Sequence, residues 1–317
     1  MMCEAHMRDV LAAHEIDTAF IDHSLSYHEN CNNLYNQFGV RFRQRDYNKE
    51  YRKYQDMAEN IEVLKPSSLV LPFDPIKRAK EIESIVMRGD KRSYYRVRFA
   101  ERFDCPVTVD SVGCCLSCAY CWNGIRNEQM KLGKFYSPAE IAGKAIELAV
   151  QHKRWDVRVS GCEAILGEAS TRHFSAFIQA LKDAKKERGK KKLNVLLETN
   201  GIMLGYDKHL VELLVEHQDC LYVRVAIKGT DPNMFEKLSG AKKSALKYQV
   251  RALDYCYDLG ISNWPAIMST FMVVQDAEKL THCVAEDIDQ EKLKFYPITK
   301  KSLIERGCWD MRKTPGR

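Results

Sequence analysis

Three cysteines, Cys114, Cys118 and Cys121, stand in the spacing C-x3-C-x2-C within the run Gly-Cys-Cys-Leu-Ser-Cys-Ala-Tyr-Cys-Trp-Asn at residues 113–123. Closely spaced thiolates of this kind are what an iron–sulfur cluster asks of a polypeptide. Only three are local, so a [4Fe–4S] cube held here leaves one iron open to a ligand from outside the chain. Structural zinc is the competing reading. It takes four ligands, usually as two paired knuckles, and no further C-x2-C pair occurs outside this stretch. A cluster is therefore favoured over zinc or plain buried thiols. Cys115 offers an alternative register with Cys118 and Cys121, and its expected role is that of a bystander packed behind the loop.

With 317 residues, 45% of them hydrophobic, the chain can bury a substantial core, and one large domain with a smaller appendage is expected. Residues 1–17 carry charges throughout, and no apolar run has signal-peptide or membrane-spanning character, which predicts a cytoplasmic protein without membrane contact. In that compartment the 12 cysteines are expected as reduced thiols, ligands or core residues. The formal net charge of +6 permits an acidic substrate or a nucleic acid and argues for neither. Arg41, Arg43, Arg45, Lys49, Arg52 and Lys53 interleave with Phe42, Tyr47, Tyr51 and Tyr54. That mix is able to stack on and neutralise nucleic acid, but a solvated helix face is the favoured reading.

The elements that must position the cysteines follow from periodicity. Residues 1–102 read as an N-terminal, mainly helical extension, serving as a lid or recognition element, and residues 103–317 as the core. Within the extension, Asp74-Pro75 is a helix start, with Ile76, Ala79, Ile82, Ile85 and Val86 as the apolar stripe and Gly89 as the stop. Tyr95, Val97 and Phe99 then alternate as in a half-exposed strand. Core strands are expected at residues 106–112, 156–160, 193–198, 221–227, 266–274 and 293–297. Ser137-Pro138-Ala139-Glu140 is a capping box ahead of the first core helix. Later helices carry Phe174, Phe177, Ile178 and Leu181, then Leu210, Leu213 and Leu214. The next has Leu246, Val250, Leu253 and Tyr257 with Gly260 as stop, and the last begins at an Asp276 cap. Six strand–helix units of about 30 residues fit the available length better than a complete eight-fold barrel of about 250 residues. The fold class predicted is α/β, a partial (β/α)6 parallel barrel.

Ligands of parallel α/β folds sit at the C-terminal strand ends, and polar residues gather there. The second strand is followed by Ser160-Gly161-Cys162-Glu163-Ala164, the third ends in Glu198-Thr199-Asn200-Gly201, and the fourth ends in Lys228-Gly229-Thr230-Asp231. Each alone has a plain reading: a strand-to-helix turn, an Asn-Gly turn, a surface lysine. Together with the cysteines, and in this order, they resemble the radical S-adenosylmethionine (SAM) enzymes, with a core similar to the glycine-radical-enzyme activases. The resemblance covers roughly residues 106–297.

That resemblance implies a [4Fe–4S] cluster on Cys114, Cys118 and Cys121, with SAM chelated to the open iron and cleaved to a 5′-deoxyadenosyl radical. It implies that Tyr120 packs near the adenine. Gly161, Cys162 and Glu163 would offer acceptors to the SAM amino group, matching a family Gly-Gly-Glu-Pro turn with Cys162 for the second Gly and Ala164 for Pro. Glu198, Thr199 and Asn200 would reach the ribose and methionyl portions, and Lys228 would face the carboxylate. Cys162 reads either as a substrate contact or, preferably, as a small buried filler. An external electron donor such as a flavodoxin or ferredoxin is implied, and the substrate (small molecule, peptide or RNA) stays open. The alternatives are an activase-like protein and, in another class, a non-catalytic iron–sulfur or zinc sensor.

Overall fold

The structure is a computed structural model that describes residues 69–311 apart from 102–103, 125–126, 128–129, 131–132, 191 and 294–296. The chain divides between Pro66 and Ser67. The expectations for residues 1–17 and for the Arg and Tyr interleaving of residues 41–54 lie outside the described residues. The expected boundary at residue 102 falls inside the unit that begins at Ser67.

Asp74 caps helix α1 (Pro75–Val86), its Oδ1 accepting from the Ile76 and Lys77 N–H groups at 2.9 and 3.2 Å. Ala79, Ile82 and Val86 are buried, whereas Ile85, expected in the same stripe, faces solvent. The helix stops before Gly89 because Met87 and Arg88 form strand β1 (Met87–Arg88), which turns back onto β2 (Lys91–Phe99). Strand β2 pairs antiparallel with β3 (Val107–Ser111) and with the short β4 (Lys134–Tyr136).

From β3 onward the sheet is parallel. It continues through β5 (Asp156–Ser160), β6 (Asn194–Thr199), β7 (Leu221–Ala226), β8 (Ser262–Met268) and β9 (Asp289–Glu291), each beside the next in chain order. Six parallel strands in a line that does not close are the partial barrel predicted. The crossovers are α2 (Pro138–His152), α3 (Glu168–Glu187), the pair α4 (Ile202–Tyr206) and α5 (Lys208–Glu212), then α6 (Pro232–Ser239), α7 (Leu246–Asp258) and α8 (Val274–Thr281), with α9 (Pro297–Glu305) after β9. The Ser137 capping box forms as expected. Among the described residues no helix is long and apolar enough to cross a membrane.

Two strands lie elsewhere than expected. The apolar run 266–274 suggests pairing along its whole length, but β8 starts at Ser262, and Phe271 and Met272 leave the sheet as a buried turn closed onto the Met268 carbonyl. Their apolar surface is used for packing instead of for a ladder. The sixth strand is residues 289–291, not 293–297, and Pro297 opens α9. Asp276 is not a cap: Val273 occupies that position and Asp276 lies in the first turn of α8, where a carboxylate complements the helix dipole. Tyr257 is exposed, and the buried face of α7 is Leu246, Gln249, Ala252, Leu253 and Cys256.

Alternation along the strands separates two faces. Val107, Val109, Val157, Val159, Val195, Leu197, Val223 and Val225 join Ile141, Ala145, Phe174 and Phe177 in one apolar core. Several of the intervening positions carry charge. Asp110, wholly buried, accepts from the Nε of Arg96 at 2.8 Å and of Arg98 at 2.9 Å. Arg158 bridges Thr108 and Glu198, both at 3.3 Å. Arg224 meets Asp289 at 2.7 Å and Glu291 at 2.9 Å. Charges taken out of water persist only when paired in this way, and these pairs give the second face of the sheet a charged wall.

Candidate active site

The cysteine loop leaves the C-terminal end of β3 and is fastened along its backbone. The Ser117 N–H donates to the Ser239 carbonyl at 3.0 Å and the Ala119 N–H to Leu238 at 2.8 Å, tying the loop to the end of α6. Asn127 donates to the Leu116 carbonyl at 2.6 Å. Arg306, just past α9, donates to the carbonyls of Ser117 and Lys237. So anchored, the loop holds Cys114, Cys118 and Cys121 half-buried, while Cys115 is fully buried.

Cys114 receives the Leu116 N–H at 3.4 Å and the Asn200 side-chain amide at 3.5 Å; the same amide lies 3.3 Å from Cys115 Sγ. A hydrogen bond from the Cys115 thiol holds Cys114 below the ordinary thiol range and pushes Cys115 up. Burial raises Cys118 and pushes Cys121 up to about 12, with the Lys228 ammonium opposing both. Thiols in this state give up their protons to solvent when a metal takes the proton's place on sulfur. Among the described residues no three Cys, His, Asp or Glu side chains meet at single-ion spacing. A cube spreads its ligands over separate corners, and three half-buried thiols with N–H donors and a cation beside them suit a three-thiolate cluster.

Facing the loop is the turn after β5. Gly161 has φ of 92°, and a Cβ there would lie 3.0 Å from the Asp110 side chain, so the sequence needs glycine. The Cys162 N–H donates to the Ser111 carbonyl at 3.3 Å and the Glu163 N–H to Gly113 at 2.9 Å, stitching the turn to the root of the cysteine loop. Cys162 Sγ accepts from the Asn123 amide at 3.2 Å. Burial, then the neighbouring Cys114 and Cys121, push its thiol well up.

Glu163 is buried, and its carboxylate is engaged by the protein itself. It accepts from the Ile165 N–H at 3.0 Å, the Thr199 hydroxyl at 2.8 Å and the Asn200 N–H at 2.7 Å. Burial raises its pKa although these bonds and Arg92 favour the charged form. Its carbonyl takes the guanidinium of the wholly buried Arg92 at 2.5 Å, and Arg92 also donates to Val112 at 3.3 Å. Glu163 therefore clamps the ends of β5 and β6.

Asn200 and Lys228 are joined by Gln249 of α7, whose amide donates to the carbonyls of Asn200 at 2.6 Å and Ala226 at 2.9 Å and accepts from the Lys228 N–H at 3.0 Å. Lys228 places its ammonium 5.7 Å from the centre of the Tyr120 ring, which stacks on Phe271 at 5.3 Å. Glu198 is separate from this group. It lies on the charged wall, bonded to the Ser160 hydroxyl and Arg158. The structure thus gathers Cys114, Cys118, Cys121, Tyr120, Gly161, Cys162, Glu163, Thr199, Asn200 and Lys228 at neighbouring strand ends. Sequence reasoning missed Arg92, Asn123, Gln249 and Arg306. Only Gln249 left a signal, a polar residue at a buried position of an apolar helical stripe.

Comparison with solved structures finds native anSMEcpe with bound AdoMet at 15% identity and a TM-score of 0.40, over 63% of this chain and 58% of that one. Native anSMEcpe with bound AdoMet and Cp18Cys peptide is also similar, at 15% identity and a TM-score of 0.37, over 63% and 56%. The chain spans less than two thirds of the length of these structures. No curated protein matches it. Residues 108–282, which run from β3 past α8 and hold the strand-end groups described above, match the Radical SAM superfamily, and the chain belongs to that family.

Proposed function

We propose that Cys114, Cys118 and Cys121 hold the cluster, that SAM occupies the strand ends beside it, and that the radical produced abstracts hydrogen from a polar substrate seated against the charged wall. When bound and reduced, the cluster supplies the electron that cleaves the SAM sulfonium to methionine and a 5′-deoxyadenosyl radical. The chain's own contribution is binding, orientation and exclusion of water.

Lys228 would neutralise the SAM carboxylate as a point charge, and Tyr120, wedged between Lys228 and Phe271, would give the adenine an aromatic neighbour. The Asn200 amide faces the thiols, so it would tune the cluster; its backbone is fixed by Glu163 and Gln249. Glu163 is assigned a positioning role rather than direct contact, because its carboxylate already accepts three hydrogen bonds. The wall of Arg96, Arg98, Arg158, Glu198 and Arg224 favours a substrate that can replace water around charge. A one-electron donor such as a flavodoxin or ferredoxin would serve the cluster.

The observation that carries this reading is the convergence of three half-buried thiols with Lys228 and Asn200 at one set of strand ends. Anaerobic reconstitution of the full chain is expected to load about four irons and four sulfides. Cys115→Ala should keep that content and its response to SAM, whereas Cys114→Ala should lose the response. The reverse result would move the ligand set to Cys115, Cys118 and Cys121.

A further inference from the structure

Cys162 is held closer to the cysteine loop than a filler requires. Its own N–H and that of Glu163 donate to Ser111 and Gly113, on either side of Val112, so the turn runs alongside the stem that carries Cys114. From the other side Asn123, two residues past Cys121, donates its amide to Cys162 Sγ at 3.2 Å. The sulfur is therefore placed between the root of Cys114 and the chain leaving Cys121. Like Cys114, Cys118 and Cys121 it is half-buried, whereas Cys115 is fully buried. A fourth thiol thus stands beside the stem that carries the other three.

We propose that Cys162 is a fourth, displaceable thiolate, ligating the iron left open by Cys114, Cys118 and Cys121 until SAM takes its place; this rests on the radical SAM reading above. The Asn123 amide, which also reaches the Tyr95 hydroxyl at 3.3 Å, would donate to the iron-bound sulfur, since a hydrogen bond to an ionised acceptor is stronger than one to a neutral thiol. In the exchange the Cys162 Sγ–Fe bond breaks, and bonds form from the iron to the amino nitrogen and a carboxylate oxygen of SAM. The proton shed by the SAM ammonium is taken by the departing Cys162 thiolate, and no electron moves. Cys162 then stands beside SAM as a neutral thiol. Without SAM, the fourth iron is protected from loss.

The test is Mössbauer spectroscopy of the full chain reconstituted with isotopically enriched iron, with and without SAM, alongside equilibrium SAM binding. Wild-type protein without SAM should show only sulfur-ligated iron, and SAM should convert one site to nitrogen and oxygen ligation. Cys162→Ala and Cys162→Ser should each show one distinct iron before SAM is added. If the open iron is about nine-tenths thiolate-bound at rest, Cys162→Ala should bind SAM about tenfold more tightly, because the competing state is gone. A distinct iron in the SAM-free wild type, a measurement that needs no variant to fold, overturns the proposal. Equal SAM affinity in wild type and Cys162→Ala also overturns it. If SAM changes the spectrum of neither protein, the radical SAM assignment of the site fails, and that outcome is separate from the other two.

Discussion

Glu163 shows how a motif residue can act without touching the reacting atoms. Both of its carboxylate oxygens are spent on the ends of β5 and β6, and its carbonyl is spent on Arg92. Replacing it with Gln turns an amide N–H toward the Asn200 or Thr199 donors. Glu163→Gln should therefore cost about 1–3 kcal/mol of stability, the range for a buried group left unsatisfied, and lower the rate of SAM cleavage while far-UV circular dichroism is unchanged. Denaturant midpoints and cleavage rates check this, and an unshifted midpoint would show that the clamp is not needed. Cysteine spacing and the strand-end quartets were legible in the sequence because they are local. The partners that fix them were not: Arg92 lies 71 positions from Glu163, and Arg306 lies 189 from Ser117. No periodicity announces a long-range bond from a guanidinium to a backbone carbonyl.

Helix α7 and strands β6 and β7 illustrate the same division. The apolar alternation of β6 and β7 placed both strands within a residue or so of their true ends, and Gly260 marked the end of α7. The fifth strand was misplaced because hydrophobicity does not distinguish a paired strand from a buried turn, and the second half of that run packs under Tyr120 through Phe271. What binds these elements into one site is Gln249. Gln249→Leu conserves much of the volume but strips partners from the Asn200 and Ala226 carbonyls and the Lys228 N–H. About 2–3 kcal/mol of destabilisation should follow, with weaker SAM binding as Lys228 and Asn200 lose their common reference. Calorimetric titration of SAM against the folded variant checks this; wild-type affinity in Gln249→Leu would detach the helix from the site.

The partial barrel was predictable as a whole, since six strand–helix units fit the available residues, but its N-terminal limit was not. Helix α1 and strand β2 read as part of an extension, yet they supply Arg92 to the Glu163 turn and Arg96 and Arg98 to Asp110. Removing residues 1–66 should leave a folded, cluster-binding protein. Removing residues 1–102 would strand the buried Asp110 carboxylate without either cation, a loss of about 3–5 kcal/mol for a broken buried pair, and should yield no folded protein by circular dichroism. Survival of the shorter form with a native spectrum would restore the expected boundary. The enzyme's defining chemistry is tested most directly by identifying the products that the anaerobically reduced, reconstituted full chain forms from SAM. The proposed role of the three cysteines, Lys228 and Asn200 predicts 5′-deoxyadenosine and methionine in equal amounts, formed slowly even without substrate and lost in Cys118→Ala. Methylthioadenosine as the sole product, or no SAM turnover by a protein with a full cluster, would contradict it.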